Sequence, residues 1–220
     1  MAEPSAARRI VILRHGRTEW NASRRYQGQE DPPLDDVGQA QAIEAAALVA
    51  AMHPDRIITS DLQRARQTAE KLAFLTGRPL QVDQRLRERH LGHWQGLTRD
   101  EVAARFPDEF ADWLAGRDVS RRGGESRQQV AERACELVSE LDPTGLTVLV
   151  SHGATAMCLS AALLGLPQTP SILAPLANCH WTELRDAGTG WTLRAHNAGP
   201  PGPVIPVVPI DVSDYSDAEA

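Results

Sequence analysis

Two apolar runs in this chain end alike: Val11-Ile12-Leu13-Arg14-His15-Gly16 and Val148-Leu149-Val150-Ser151-His152-Gly153. Each reads as a short buried strand that delivers a histidine at its carboxyl end, followed by a glycine that lets the backbone turn sharply. In open α/β sheets ligands bind beyond the carboxyl ends of the strands. His15 and His152 therefore belong at the floor of a pocket. One such histidine alone reads equally well as a packing residue; the duplicated arrangement favours a shared site. Arg14 adjoins His15, and Arg64 lies about one turn into a predicted helix that also follows a strand, so both can reach that pocket, although Arg66 competes with Arg64. A guanidinium fork matches phosphate or carboxylate oxygens bidentately. Glu88 stands among arginines in the segment Leu86–Gly96. A surface salt bridge is the routine reading there. Facing a phosphate dianion, the same carboxyl would be pushed toward its protonated form and could act as an acid.

The elements that must position these residues alternate between strand and helix. Arg9–Arg14, Arg56–Thr59, Leu80–Asp83, Thr147–Ser151, Cys179–Arg185 and Trp191–His196 read as strands, and Val37–Met52 and Ala154–Leu164 as helices. Thr18–Asp36 is a polar loop carrying Asn21, Gly28 and the Pro32-Pro33 pair. Ser60-Asp61-Leu62-Gln63, Thr98-Arg99-Asp100-Glu101 and Ser126-Arg127-Gln128-Gln129 each fit a capping box, and the first should open a helix running to about Thr76, closed by Gly77. Strands separated by helices argue for an α/β domain with a mainly parallel sheet. A small helical insertion at 98–125 interrupts it. From Gly199 the composition changes: five prolines rule out regular structure, and Asp211, Asp214, Asp217 and Glu219 form an acidic end without a basic residue. The predicted division is a catalytic domain over 1–198 and a Pro-rich acidic tail over 199–220, which is either disordered or extended, or else folded back over the site.

Composition excludes several classes. With 220 residues, 42% hydrophobic and 24% charged, the chain has the profile of one soluble globular domain. The net charge of −6 leaves no basic field for nucleic acid or an anionic membrane. Four of the 29 acids lie in the tail, so residues 1–198 hold 23 bases against 25 acids, nearly neutral, and a focused cluster of arginines can still bind a small anion. The three cysteines form no CxxC pair. The longest mostly apolar stretch, Ala154–Leu166, is shorter than a bilayer span. The expectation is a reduced, cytoplasmic protein acting on a small molecule.

These residues, read together, resemble the histidine phosphatase superfamily, also called phosphoglycerate-mutase-like. Arg14-His15-Gly16-Arg17-Thr18-Glu19-Trp20-Asn21 is similar to its RHGxTxWN signature, and Ser60–Ala69 to its S-x-L-x-R-A-x-Q-T-A segment. Leu86–Gly96, Gly124-Glu125-Ser126 and Ser151-His152-Gly153 supply further blocks in order, so the resemblance spans about 8–196. It implies a three-layer α/β/α fold and a phosphohistidine mechanism. His15 would be the nucleophile, Arg14, Arg64 and His152 would hold the equatorial phosphoryl oxygens, and Glu88 would be the general acid and base. Asn21, Gln27 and Gly28 would add hydrogen bonds, and Gly153 would join them in binding the phosphate or substrate. Arg24, with Arg25, is a candidate for a substrate carboxylate, or else a solvated surface residue. No metal or other cofactor is required. The implied partner is a small phosphorylated metabolite, and the implied assembly a homodimer.

Within the superfamily the finer details, among them Tyr26-Gln27-Gly28-Gln29 and Trp94-Gln95-Gly96-Leu97-Thr98, are most similar to actinobacterial phosphatases of glucosyl-3-phosphoglycerate. Cofactor-dependent phosphoglycerate mutases carry a longer insertion before the Gly-Glu-Ser block and a tyrosine after Glu-Arg-His. Here Glu88-Arg89-His90 continues as Leu91-Gly92, which favours a hydrolase. The alternatives are such a mutase, a phospho-ligand binding module without turnover, and a metal-dependent hydrolase using His90 and His93.

Overall fold

The structure, a computed structural model, describes residues 7–168, 173–186 and 188–201. Its strands are β1 (Arg8–Arg14), β2 (Arg56–Thr59), β3 (Leu80–Val82), β4 (Leu146–Ser151), β5 (Trp181–Asp186) and β6 (Trp191–Ala198). Its helices are α1 (Glu19–Ala22), α2 (Asp36–Ala50), α3 (Gln63–Thr76), α4 (Arg99–Arg105), α5 (Pro107–Leu114), α6 (Arg127–Glu140) and α7 (Gly153–Leu163). The strands form one sheet in the order β3-β2-β4-β1-β5-β6, with β1, β2, β3 and β4 mutually parallel and β5 and β6 antiparallel additions.

Side chains alternate across β1. Val11 and Leu13 pack with Ala42, Ala46 and Val49 of α2 and Ala65, Ala69 and Leu72 of α3. Ile10 and Ile12 face the other way, onto Ala134, Leu137 and Val138 of α6 and Ala156 and Leu159 of α7. Helices therefore cover both faces, which is why β1 and β4 read as unbroken apolar runs rather than as alternating ones. The mainly parallel three-layer α/β/α architecture expected from the sequence is the one observed.

Register positions the site. In the parallel pair β1–β4, Arg14 lies opposite Ser151, and the His15 N–H donates to the Ser151 carbonyl at 3.0 Å. His15 and His152 thus leave the sheet side by side. A one-residue slip would turn them to opposite faces.

Local expectations fail in three places. Ser60 does not cap α3: the N-cap is Leu62, and Ser60 Oγ accepts only from the Leu62 N–H at 3.3 Å. The Gln63 N–H instead finds Asp31 Oδ1 at 2.6 Å, a partner supplied by the β1–α2 loop. That same loop holds the unpredicted turn of helix α1, closed by a capping box between Thr18 and Asn21. Cys179 is not in β5, which begins at Trp181; its φ of 57° belongs to the turn before the strand. The boxes at Thr98 and Ser126 form as read. Of the predicted tail, residues 202–220 lie outside the described residues.

The insertion builds a small core of its own, in which Trp94, Val102, Phe110 and Val119 pack with Tyr26 from the β1–α2 loop. Among the described residues, no helix is long and apolar enough to cross a membrane.

Two glycines let the loop after β1 seat on the start of α2. A Cβ at Gly38 would lie 2.0 Å from the Arg17 carbonyl oxygen, and one at Gly16 would lie 2.5 Å from the Gly38 carbonyl oxygen. Both obstacles are backbone, so overpacking cannot be relieved by a rotamer change. Gly38→Ala is expected to cost about 1–3 kcal/mol in urea unfolding and to lower turnover by displacing the chain just past His15. Unchanged stability would show that this close approach imposes no constraint.

Candidate active site

The His15 ring is 2% exposed and lies 5.1 Å, centroid to centroid, from the wholly buried ring of His152. Its Nδ1 is 2.7 Å from the Gly16 carbonyl. A carbonyl only accepts, so Nδ1 carries the proton and Nε2 is left with its lone pair. Burial, then the nearby Arg64 and Arg14 guanidiniums, hold the His15 pKa well below its ordinary 6.5, against a smaller opposing effect of the Gly16 hydrogen bond. His152 is depressed in the same direction by burial, Arg64 and His15. Both imidazoles are neutral, and His15 has the form a nucleophile needs.

The two arginines are anchored on main-chain carbonyls. Arg14 donates to Leu176 O at 2.5 Å; Arg64, wholly buried, donates to Gly28 O at 2.8 Å and Glu30 O at 2.7 Å. Burial pushes Arg64 down to about 10, which leaves it cationic at neutral pH. Glu88 acts favourably on both guanidiniums. By contrast Arg66, the competing candidate, pairs with Glu70 on the exposed face of α3.

Glu88 is received by the start of α7. Its carboxylate accepts from the N–H groups of Ala154 and Thr155, each at 3.2 Å, and from the Arg89 N–H at 2.7 Å, while the Thr155 hydroxyl donates to the Arg87 carbonyl at 2.7 Å. These helix N–H groups have no intrahelical partner, and the positive end of the helix favours an anion. The main chain around Glu88 is fixed from behind. Arg133 donates to Arg85 O and Glu88 O while pairing with Glu125, whose Oε2 accepts from the His90 N–H.

His15, Arg14, Arg64, His152 and Glu88 are thus brought together at the carboxyl ends of β1 and β4, an arrangement able to clamp a tetrahedral anion against an imidazole nitrogen. The sequence profile of the histidine phosphatase superfamily (branch 1) matches residues 10–199. The chain belongs to the histidine phosphatase superfamily. It is a phosphatase. It is similar to the glucosyl-3-phosphoglycerate phosphatase of Mycolicibacterium vanbaalenii, at 44% identity over 188 residues covering 80% of this chain and 84% of that protein. It is also similar to a probable phosphoglycerate mutase (GpmB) of Cronobacter sakazakii, at 38% identity over 83% of this chain and 86% of that one. The solved structure of a mycobacterial glucosyl-3-phosphoglycerate phosphatase in complex with VO3 superposes with a TM-score of 0.80 at 42% identity, covering 88% of this chain and all of that chain.

Other expected residues of this histidine phosphatase are placed as follows. Gly28 (φ 53°) brings its carbonyl to Arg64, and a Cβ there would strike the Gln95 side chain. Gln27 is buried, and its Oε1 has no partner among the described residues. Asn21 Oδ1 accepts from Thr18 and Asn178. Gly153 opens α7 with room for Arg14, whose Nε would lie 3.5 Å from a Cβ there. Arg24 is exposed, and Arg25 is committed to Gly96 O and Glu101. His90 and His93 diverge: His90 accepts from the Gly92 N–H, whereas His93 meets Glu109 and the Phe106 ring. Among the described residues, no three His, Cys, Asp or Glu side chains gather as a metal site. Sequence reasoning missed Thr155, Arg133 and the partners of Asn178, which are joined to the site only by the fold.

Neutral burial of two histidines links stability to pH. Their folded pKa values are depressed, so as pH falls through about 6.5 the unfolded chain gains protons that the native state does not. Between pH 7.5 and 5.5, in phosphate-free buffer, each histidine should remove about 1 kcal/mol of stability. Urea melts of the wild type should therefore lose about 2 kcal/mol more over this interval than those of the His15→Asn/His152→Asn variant. Equal losses would contradict neutral burial.

Proposed function

We propose that this enzyme hydrolyses a phosphomonoester through a phosphohistidine on His15, and that its substrate is a phosphorylated sugar-glycerate of the glucosyl-3-phosphoglycerate class. The observation that carries the mechanism is the pinned tautomer of His15: Nδ1–H is held by the Gly16 carbonyl, which leaves Nε2 its lone pair on a ring that packs beside His152 and feels the Arg64 and Arg14 charges. The substrate class rests on the relatives at 44% and 43% identity that are named for that phosphatase activity.

Nε2 attacks phosphorus in line with the ester oxygen. Glu88 takes up a proton as the substrate's phosphate comes to face it, and delivers that proton to the departing alkoxide as the N–P bond forms and the P–O bond breaks. Arg14 and Arg64 meet the charge spread over the phosphoryl oxygens, where donors fixed in a water-poor site have most effect. The Gly16 carbonyl supports the positive charge that develops on the imidazole. The alcohol then leaves. Glu88, now a carboxylate, takes a proton from the water that attacks phosphorus, the N–P bond breaks, and inorganic phosphate departs with His15 restored. A mutase would instead return the phosphoryl group to a hydroxyl of the bound acid. The short stretch between Thr98 and Gly124, holding only α4, α5 and a single 3₁₀ turn, favours water as acceptor.

Rapid quench with a labelled phosphomonoester should trap an acid-labile adduct that is absent in His15→Ala; persistence in that variant would overturn the assignment. Glu88→Gln should slow alkyl phosphates by about 10²–10⁴-fold and nitrophenyl phosphate much less, because nitrophenolate leaves without a proton. Equal losses would remove Glu88 from the acid role. Among glucosyl-3-phosphoglycerate, 3-phosphoglycerate and 2,3-bisphosphoglycerate, the first should show the highest kcat/KM with release of phosphate, and isomerisation of 3-phosphoglycerate would establish a mutase instead.

A further inference from the structure

Asn178 precedes β5, 157 positions along the chain from Asn21, and its amide nitrogen donates to Asn21 Oδ1 at 3.3 Å and to the His15 carbonyl at 3.0 Å. Asn21 Oδ1 also receives the Thr18 N–H at 3.1 Å and lies 3.2 Å from Thr18 Oγ1. An amide side chain can be turned end for end with little change of shape, so only its hydrogen-bond partners decide which end faces a ligand. Here the oxygen end is surrounded by donors. Reversing Asn21 would set its NH2 against the Thr18 N–H and the Asn178 NH2, donor against donor. The Asn21 amide nitrogen is consequently turned away from all three and has no partner among the described residues.

We propose that Asn178 is a positioning residue that fixes the Asn21 amide with its N–H groups toward the bound phosphoryl group, and that it steadies the His15 main chain at the same time. This rests on the reading of Asn21 as a phosphoryl ligand. The physical requirement is one of sign: an amide nitrogen donates to a phosphoryl oxygen, whereas a reversed amide presents its oxygen and repels it. Thr18 supplies part of the restraint from within the same turn. Asn178 supplies the rest from the turn that leads into β5, on the other side of β1, so the orientation of Asn21 depends on β5 being paired with β1. The Cys179 N–H, shared between the Arg14 and His15 carbonyls, holds the two segments in register.

The test is a double-mutant cycle read as inhibition by inorganic phosphate, with Asn178→Ala and the nearly isosteric Asn178→Asp each made in the wild type and in Asn21→Ala. In the wild type both should raise the phosphate Ki by about tenfold. On top of Asn21→Ala, Asn178→Ala should add less than about twofold, because the group it orients is gone. Asn178→Asp should lose its extra effect there except for that of the added charge, which weakens with salt. The same multiplicative loss in both backgrounds would overturn the proposal, because Asn178 would then act independently of Asn21. If Asn21→Ala itself leaves the phosphate Ki unchanged, the phosphoryl-ligand reading of Asn21 fails and the proposal falls with it, while phosphoenzyme trapping on His15 still reports the catalytic reading separately. Loss of folding in Asn178→Ala is separated by thermal melts, and the near-isosteric variant then decides.

Discussion

Four groups that can all be cationic, Arg14, Arg64, His15 and His152, are held against one another at one end of the sheet, and the rest of the site follows from that repulsion. The protein does not relieve it with a carboxylate on each arginine. Arg14 and Arg64 donate to the main-chain carbonyls of Leu176, Gly28 and Glu30, whereas Arg17, Arg85, Arg87, Arg89 and Arg133 are paired with acids. A carbonyl fixes the direction of a guanidinium without cancelling its charge. The field is therefore retained for an anionic substrate, and the imidazoles yield by remaining neutral. That one arrangement supplies both an attraction for an anionic phosphate ester and an uncharged imidazole nitrogen of the kind the proposed mechanism needs.

Glu88 shows the complementary economy. A carboxylate near so many cations could collapse into an ion pair with Arg14 or Arg64 and block the pocket. The start of α7 prevents this by offering it the Ala154 and Thr155 N–H groups, while the Thr155 hydroxyl holds the main chain beside it at Arg87 O. The helix that begins directly after His152 thus serves two residues: it turns the chain away after His152 and holds the Glu88 carboxylate. Arg133 and Glu125, on and before α6, secure the Glu88 segment from the far side, which gives the Gly-Glu-Ser block a reason to exist outside the pocket.

What was legible in the sequence was what is local in the chain. Strand ends at His15 and His152 and the boxes at Thr98 and Ser126 follow from periodicity and from chemistry within a few residues, whereas Arg64 and Arg66 competed until the fold set Arg66 beside Glu70 on the exposed face of α3. The Ser60 box failed because its helix begins two residues later and its donor is met by Asp31, about thirty positions upstream. Thr155, Arg133 and the second partner of Asn21 were illegible for the same reason: each owes its role to a contact made only once β4, α6 or β5 is docked. Asn178 is the sharpest case, since nothing near it in the chain suggests that its amide should govern another amide beside β1.

This dependence bears on why β5 runs against its neighbours. A parallel strand beside β1 would meet the site with its own carboxyl end, its loop leaving the site for a crossover. Running antiparallel, β5 begins where β1 ends: Leu13 lies opposite Trp181, the Arg14 N–H donates to His180 O, and the Asn178–His180 turn is set directly against His15. The chain therefore reaches the site here by an incoming turn rather than an outgoing one, and that turn can be rigid because β5 is paired on both sides, with β1 and β6. Polarity reversal at β5 is in this sense part of the site, because it brings a stiff donor to a loop that could otherwise turn its own amide the wrong way.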